Sequence, residues 1–287
     1  MAVRSRPASS LPGIGRIMGS GLGYALALLF VAPIAWTALS SLKPAQEAAL
    51  PPLPPWPTTG VSLQNYGALN GFGAGIWRHV LNSLGVAAGT VALTCAVSLL
   101  AGYGFSRFRF PLRNLLFGVT LVAIMVPFQS ILTPLFLVLS RLGLQDSLLG
   151  LVLVYTTLQL PFSVYLMRNA FEAIPREIDE AARMDGCDSF ALLPLVLLPL
   201  VRPNLVTVGI FAFLASWNEF LAALVFLTDN DRYTLPVLMS ALRNGMYGTV
   251  DWGAVQAGVT VMMLPCLVIF LLLQRYYVRG LTAGAVK

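Results

Sequence analysis

Six apolar runs, each about the length of a bilayer-spanning helix, succeed one another along the chain. They extend from Leu22 to Leu39, Val80 to Phe105, Leu115 to Leu139, Leu148 to Met167, Leu200 to Phe226 and Val255 to Tyr276. A core shielded from water does not need so many. A bilayer does, because each crossing helix takes about 20 mostly apolar residues. Charged residues make up only 10% of the chain, against about 25% in a water-soluble domain, and the mean hydropathy is +0.78. The pattern predicts an all-α polytopic membrane protein with six transmembrane helices in one domain over 1–287. The first run is longer than the core of a secretory signal, and further spans follow it, so it reads as a span. Many prolines fall inside the runs, where neighbouring groups can satisfy the freed backbone. Pro127, Pro134 and Pro265 are expected to kink their helices.

An even number of spans puts both termini on one side. Five basic residues, Lys43, Arg78, Arg141, Arg232 and Arg243, then fall on one face and the other 13 on the opposite face. The excess marks the cytoplasmic side. Tails 1–16 and 277–287 and the charged loop 168–199 are therefore expected inside, and the proline-rich loop 43–76 outside. Arg107, Arg109 and Arg113 cluster at one inner turn, where anionic lipid is their expected partner.

Several function classes drop out. The net charge of +6 is dispersed in short clusters between apolar runs, with no continuous basic face for nucleic acid. The three cysteines are far apart and lack metal-ligand spacing. His79, the lone histidine, is expected at a membrane edge in a structural or solvated role. No glycine-rich phosphate loop and no nucleophile–base pair is present, so no catalysis, cofactor or metal is expected of this chain itself.

The loop after the fourth run reads AIPREIDEAARMDGCDSFALLPLVLLPL. Pro175 suits a helix start. Glu177, Asp179 and Glu180 fall where the helix dipole favours negative charge. Ile178, Ala181, Ala182 and Asp185 share a face, and its two alanines permit close approach of a partner. Gly186 is placed to end the helix, and Asp188 or Ser189 to cap the next one. A short amphipathic helix tied to two spans is the expected result.

This segment resembles a known signature. Glu180-Ala181-Ala182, Gly186, Val196 and Leu198-Pro199 stand at the spacing of the cytoplasmic loop of bacterial ABC importer permeases, with Val196 where the family has Ile. The resemblance extends to Ser40-Ser41-Leu42-Lys43-Pro44, Asn65-Tyr66, Asn82-Ser83, Ala101 to Arg107, Trp217-Asn218-Glu219-Phe220 and the closing Arg279 to Lys287. Together these are similar to the carbohydrate-uptake branch, and to the six-span permease subunit of the maltose system. The resemblance implies a bacterial inner-membrane location and a type I importer fold. It implies a second, homologous permease subunit and two ATP-binding cassette subunits, which use ATP and Mg²⁺. It also implies an extracytoplasmic substrate-binding protein that delivers a sugar. The coupling contact with the ATPase falls on Glu177, Ile178, Glu180, Ala181, Ala182, Asp185, Gly186 and Pro199.

Polar groups within the runs are the candidates for the solute path. Glu219 stands out, since a carboxylate inside a span is costly unless it faces a cavity or a partner. Trp217 and Asn218 beside it supply a ring and an amide suited to a sugar. Asn82, Gln129 and Gln159 are further candidates, with helix bridging as the competing role. The alternative function is an ion- or proton-coupled transporter, which would lean on Glu219.

Overall fold

The computed structural model describes residues 13–48, 53–188 and 191–282. Most of the N-terminal tail, Ser189 and the last five residues of the C-terminal motif lie outside them. The chain divides into two compact units, 1–68 with 251–260, and 69–250 with 261–287.

The first unit holds α1 (Gly13–Ser41) and the short α2 (Gln64–Ala68). Asn65 ties them together. Its Nδ2 donates to Ser41 O at 2.8 Å and Lys43 O at 2.7 Å, while Ser41 Oγ and Tyr66 OH share a bond of 2.7 Å. Two of the sequence marks, Ser40 to Pro44 and Asn65-Tyr66, thus meet in one knot that satisfies the carbonyls left open at the end of α1. Gly253 lies against it, and a Cβ there would come within 2.3 Å of Asn65 Oδ1.

In the second unit, α3 (Ile76–Arg107) packs along α6 (Leu148–Glu172). At Gly102 an added Cβ would stand 2.6 Å from Met167 Cβ and 2.9 Å from Arg168 N, so glycine is what lets the two helices touch. Gly89 makes a similar approach to Val152. Tyr103, Met167, Phe171, Leu192, Leu197 and Val201 form the core at one end of this pair. Val86, Leu151, Val154, Tyr155, Ala222 and Phe226 form the core at the other.

The third run departs from a single kinked helix. It forms α4 (Arg113–Ala123) and α5 (Phe128–Arg141), which meet at 105°. Pro127 has no amide to continue the ladder and biases Val126 away from helical angles, so four residues separate the helices. After α6 come α7 (Arg176–Met184) and a π-helical turn, Leu192–Leu197, which runs into α8 (Leu198–Asn218). Pro194, Pro199 and Pro203 remove amide donors there, which suits an irregular ladder. The fifth run was expected to continue to Phe226. Instead the helix stops at Asn218, Glu219 is extended, and α9 (Leu221–Phe226) follows. The short α10 (Leu235–Arg243) comes next, and α11 (Trp252–Thr282) is the last span, its first turns belonging to the first unit. By length and composition, five described helices can cross a membrane, or six with α4 and α5 as one broken span. The architecture is all-α and polytopic.

Candidate functional site

The loop helix α7 is held by a pair that the sequence did not announce. Asp179 turns inward and meets Arg107 at the end of α3, with Nε to Oδ2 at 2.8 Å and Nη2 to Oδ1 at 3.2 Å. The two side chains are only 7% and 12% exposed. Arg107 Nη2 also donates to Ile174 O at 3.0 Å, and Arg176 Nη2 reaches Ser106 O at 3.4 Å. Arg107 therefore grips the loop helix, which replaces the expectation that it faces lipid. Arg113 makes only longer contacts, at 3.4 Å from Phe108 O and 3.6 Å from Glu172.

The helix ends as Gly186 was expected to make it end. Gly186 has φ +86°, a left-handed angle that costs other residues strain. Its amide donates to Arg183 O, and the Cys187 amide to Ala182 O, both at 3.0 Å. This is the Schellman stop, with Ala182 and Cys187 packed against the core behind it. Asp188 Oδ1 then accepts from Ala191 N at 2.7 Å, filling the capping role. With Asp179 and Ala182 inward, Glu177, Ile178, Glu180, Ala181 and Asp185 are exposed. Pro199 sits near the start of α8, also exposed. The loop helix offers a small-sided, acidic face on a rigid mount.

The path candidates divide by environment. Glu219 sits at the break between α8 and α9. Its carboxylate accepts from Ala222 N at 2.9 and 3.1 Å, from Ala223 N at 3.3 Å and from Tyr155 OH at 2.6 Å. It thereby caps α9 with a charge at its positive end. Glu219 and Gln159 line a small cavity of about 60 Å³, together with Thr90, Tyr155 and Ser216. That is room for water rather than for a sugar ring. Thr90 Oγ1 is buried there without a hydrogen-bond partner.

Trp217 is 1% exposed. Its Nε1 donates to Met262 O at 3.0 Å, and its ring stacks on Phe213 with centroids 5.7 Å apart. Asn82 is buried and donates to Asp231 O at 2.8 Å and Tyr233 O at 3.0 Å. Both spend their polar groups inside the chain. Asn218 is exposed and donates to Leu214 O at 2.8 Å, and Gln129 is exposed on α5 beside the 105° break. Of the six, Gln159 and Glu219 line this cavity together. His79, in the first turn of α3, is fully buried, with Nδ1 donating to Tyr233 O at 2.9 Å, which is a structural role.

Residues 65–283, which include α7, its mount and the cavity, match the family of binding-protein-dependent transport system inner membrane components. The chain belongs to that family. This inner membrane component is 34% identical over 270 residues to the probable ABC transporter permease protein YurM of Bacillus subtilis, covering 92% of this chain and 85% of that one. It is 34% identical to the trehalose transport system permease protein SugB of Mycobacterium tuberculosis, covering 93% of this chain and 94% of that one. It is also 34% identical to the arabinooligosaccharides transport system permease protein AraQ of B. subtilis, with 91% and 92% covered. Among solved structures, a chain of a bacterial ABC transporter involved in the import of the acidic polysaccharide alginate superposes with a TM-score of 0.79. The match is 22% identical and covers 94% of this chain and 100% of that one, which establishes a shared fold. The fold of this family member is that of a type I ABC importer permease.

Proposed function

We propose that this inner membrane component forms half of the translocation path of an ATP-driven importer for a carbohydrate. A homologous permease forms the other half, as in maltose-type systems. The observation that carries the coupling part is the mounted helix α7. A helix clamped to α3 through Arg107–Asp179 and stopped by Gly186 moves as one body with the spans it joins. Its outward face would seat in a groove of an ATP-binding cassette subunit, with Glu180 as the polar contact and Ala181 as the close-packing one. Closure of two such subunits on ATP would push α7, rotate α6 and α8, and switch the path from inward-open to outward-open. In this reading both termini are cytoplasmic, and a binding protein delivers the solute from outside.

The names of the relatives support a carbohydrate, since two of them carry trehalose or arabinooligosaccharides in their description. For the path we retain Gln159, Glu219, Asn218 and Gln129 as lining or gating groups. Trp217 and Asn82 support the path by holding α8 and α3 in place.

The test is purification from the native membrane, identification of the co-isolating subunits, and ATP-dependent uptake of labelled oligosaccharides in liposomes. We expect a second permease and an ATPase to co-isolate. Glu180→Ala should release the ATPase and abolish uptake. Solute movement on an ion gradient by the chain alone would overturn the proposal and make Glu219 the first residue to test.

A further inference from the structure

The turn between α3 and α4 forms an open depression of about 390 Å³ lined by Arg109, Phe110, Leu112, Arg113, Asn114 and Leu115. Its polar rim holds two guanidinium groups and an amide. Arg109 is exposed and makes no hydrogen bond or ion pair among the described residues. Arg113 stands at the long distances of 3.4 Å from Phe108 O and 3.6 Å from Glu172, the acidic group facing it, and its Nε is buried without a hydrogen-bond partner. Planar guanidinium groups suit phosphate oxygens, which they can engage through two parallel bonds.

An apolar stripe leads away from this basic rim. Leu115, Val119 and Val122 recur at helical spacing down one side of α4 and are 60%, 58% and 61% exposed, with Leu112 just before the helix 66% exposed. The 11 residues of α4 extend for about 16 Å, close to half of the roughly 30 Å hydrocarbon core. The stripe has the length of one leaflet, and the basic depression stands at its polar end. We infer that this depression binds the phosphate of one anionic phospholipid, whose acyl chain lies along α4. The inference rests on the membrane fold and not on which solute the protein carries, so it survives or fails independently of the proposed function.

The test uses the full chain with its co-purifying subunits in detergent, stripped of lipid and titrated with phosphatidylglycerol or phosphatidylcholine. Bound lipid is counted by native mass spectrometry. We expect phosphatidylglycerol to be retained in preference to phosphatidylcholine. Arg109→Gln should lower its retention about fivefold, the share of one basic side chain near an anionic headgroup. Arg109→Lys should keep more than Arg109→Gln, and Leu115→Asn should lower retention with the charge unchanged. Equal retention of the two lipids, or of phosphatidylglycerol by Arg109→Gln and the parent, overturns the inference. So does displacement by millimolar inorganic phosphate with no effect of Leu115→Asn, which would assign the site to free phosphate. Arg109 is exposed, so its variants should elute as the parent does, and that elution is the folding control.

Discussion

At the scale of single residues, the most consequential contact joins two side chains 72 positions apart. The Arg107–Asp179 pair is nearly closed to solvent, and removing one partner of a buried pair costs about 3–5 kcal/mol. Arg107→Ala should therefore free α7 from α3 and speed amide exchange across 176–184. The double change Arg107→Met with Asp179→Leu should recover much of the protection. Unchanged exchange in Arg107→Ala would mean that the pair does not hold the helix. Nothing in the local sequence ranks Arg107 above Arg109, because the distinction arises only when α3 ends beside α7. A partial signal was present, since Asp179 is the acidic residue on the inward side of an otherwise outward-facing acidic turn. Glu219 was legible as a buried charge needing partners. Those partners, the α9 amides and Tyr155, were hidden because apolar residues resume directly after Glu219 and no proline or glycine marks the point where the helix stops.

At the scale of elements, the loop helix was read closely from sequence, because proline entry and glycine exit are local signals. Gly186 has open space around its Cα, so a side chain there meets only the backbone strain of its positive φ. Gly186→Asn should be tolerated best, and Gly186→Ala should cost about 1–2 kcal/mol. Gly186→Val should be worst. ATPase retention on affinity resin should fall in that order, and equal retention by all three would remove the Schellman stop from the coupling argument. The loop after α1 offers a second check. The Glu47 carboxylate accepts from the Thr59 hydroxyl and from the amides of Thr58 and Thr59. These bonds, the Thr59 hydroxyl foremost, lower its pKa from 4.5 to about 2. A depressed carboxylate contributes above its unfolded value and loses that contribution as pH falls through its folded one. Exchange protection of the Thr58 and Thr59 amides should thus be full above about pH 4.5 and fade toward pH 2. Glu47→Gln should flatten that profile.

At the scale of the whole molecule, the six runs located the spans well, since hydropathy over 20 residues is a coarse and robust signal. The 105° break in the third was not legible beyond a proline kink, because the angle is set by what the two halves pack against. Its consequence is an incomplete membrane surface. Met125 at the break is 81% exposed, and the first amides of α5 lack a side-chain cap. Irregular backbone at membrane depth persists only against protein or in a water-filled path. A cysteine at Met125→Cys should cross-link to the second permease or react with a water-soluble maleimide. Reaction with lipid-phase reagents alone would place the break in bare lipid and contradict the two-permease arrangement. The opposite end carries a different kind of constraint. His79 and Asn82 hold the strap 231–235 by the carbonyls of Asp231 and Tyr233, and Ser83 Oγ accepts from the Leu235 amide at 2.8 Å. All these contacts read main-chain atoms and none reads a side-chain identity. At exposed positions such as Asp231 the strap can therefore drift in composition over generations while its length stays fixed, whereas Thr234 and Leu235 are buried. A lineage could recast the lettering of its outer face without rebuilding the frame beneath, whereas one inserted or deleted residue would unhook three anchors at once.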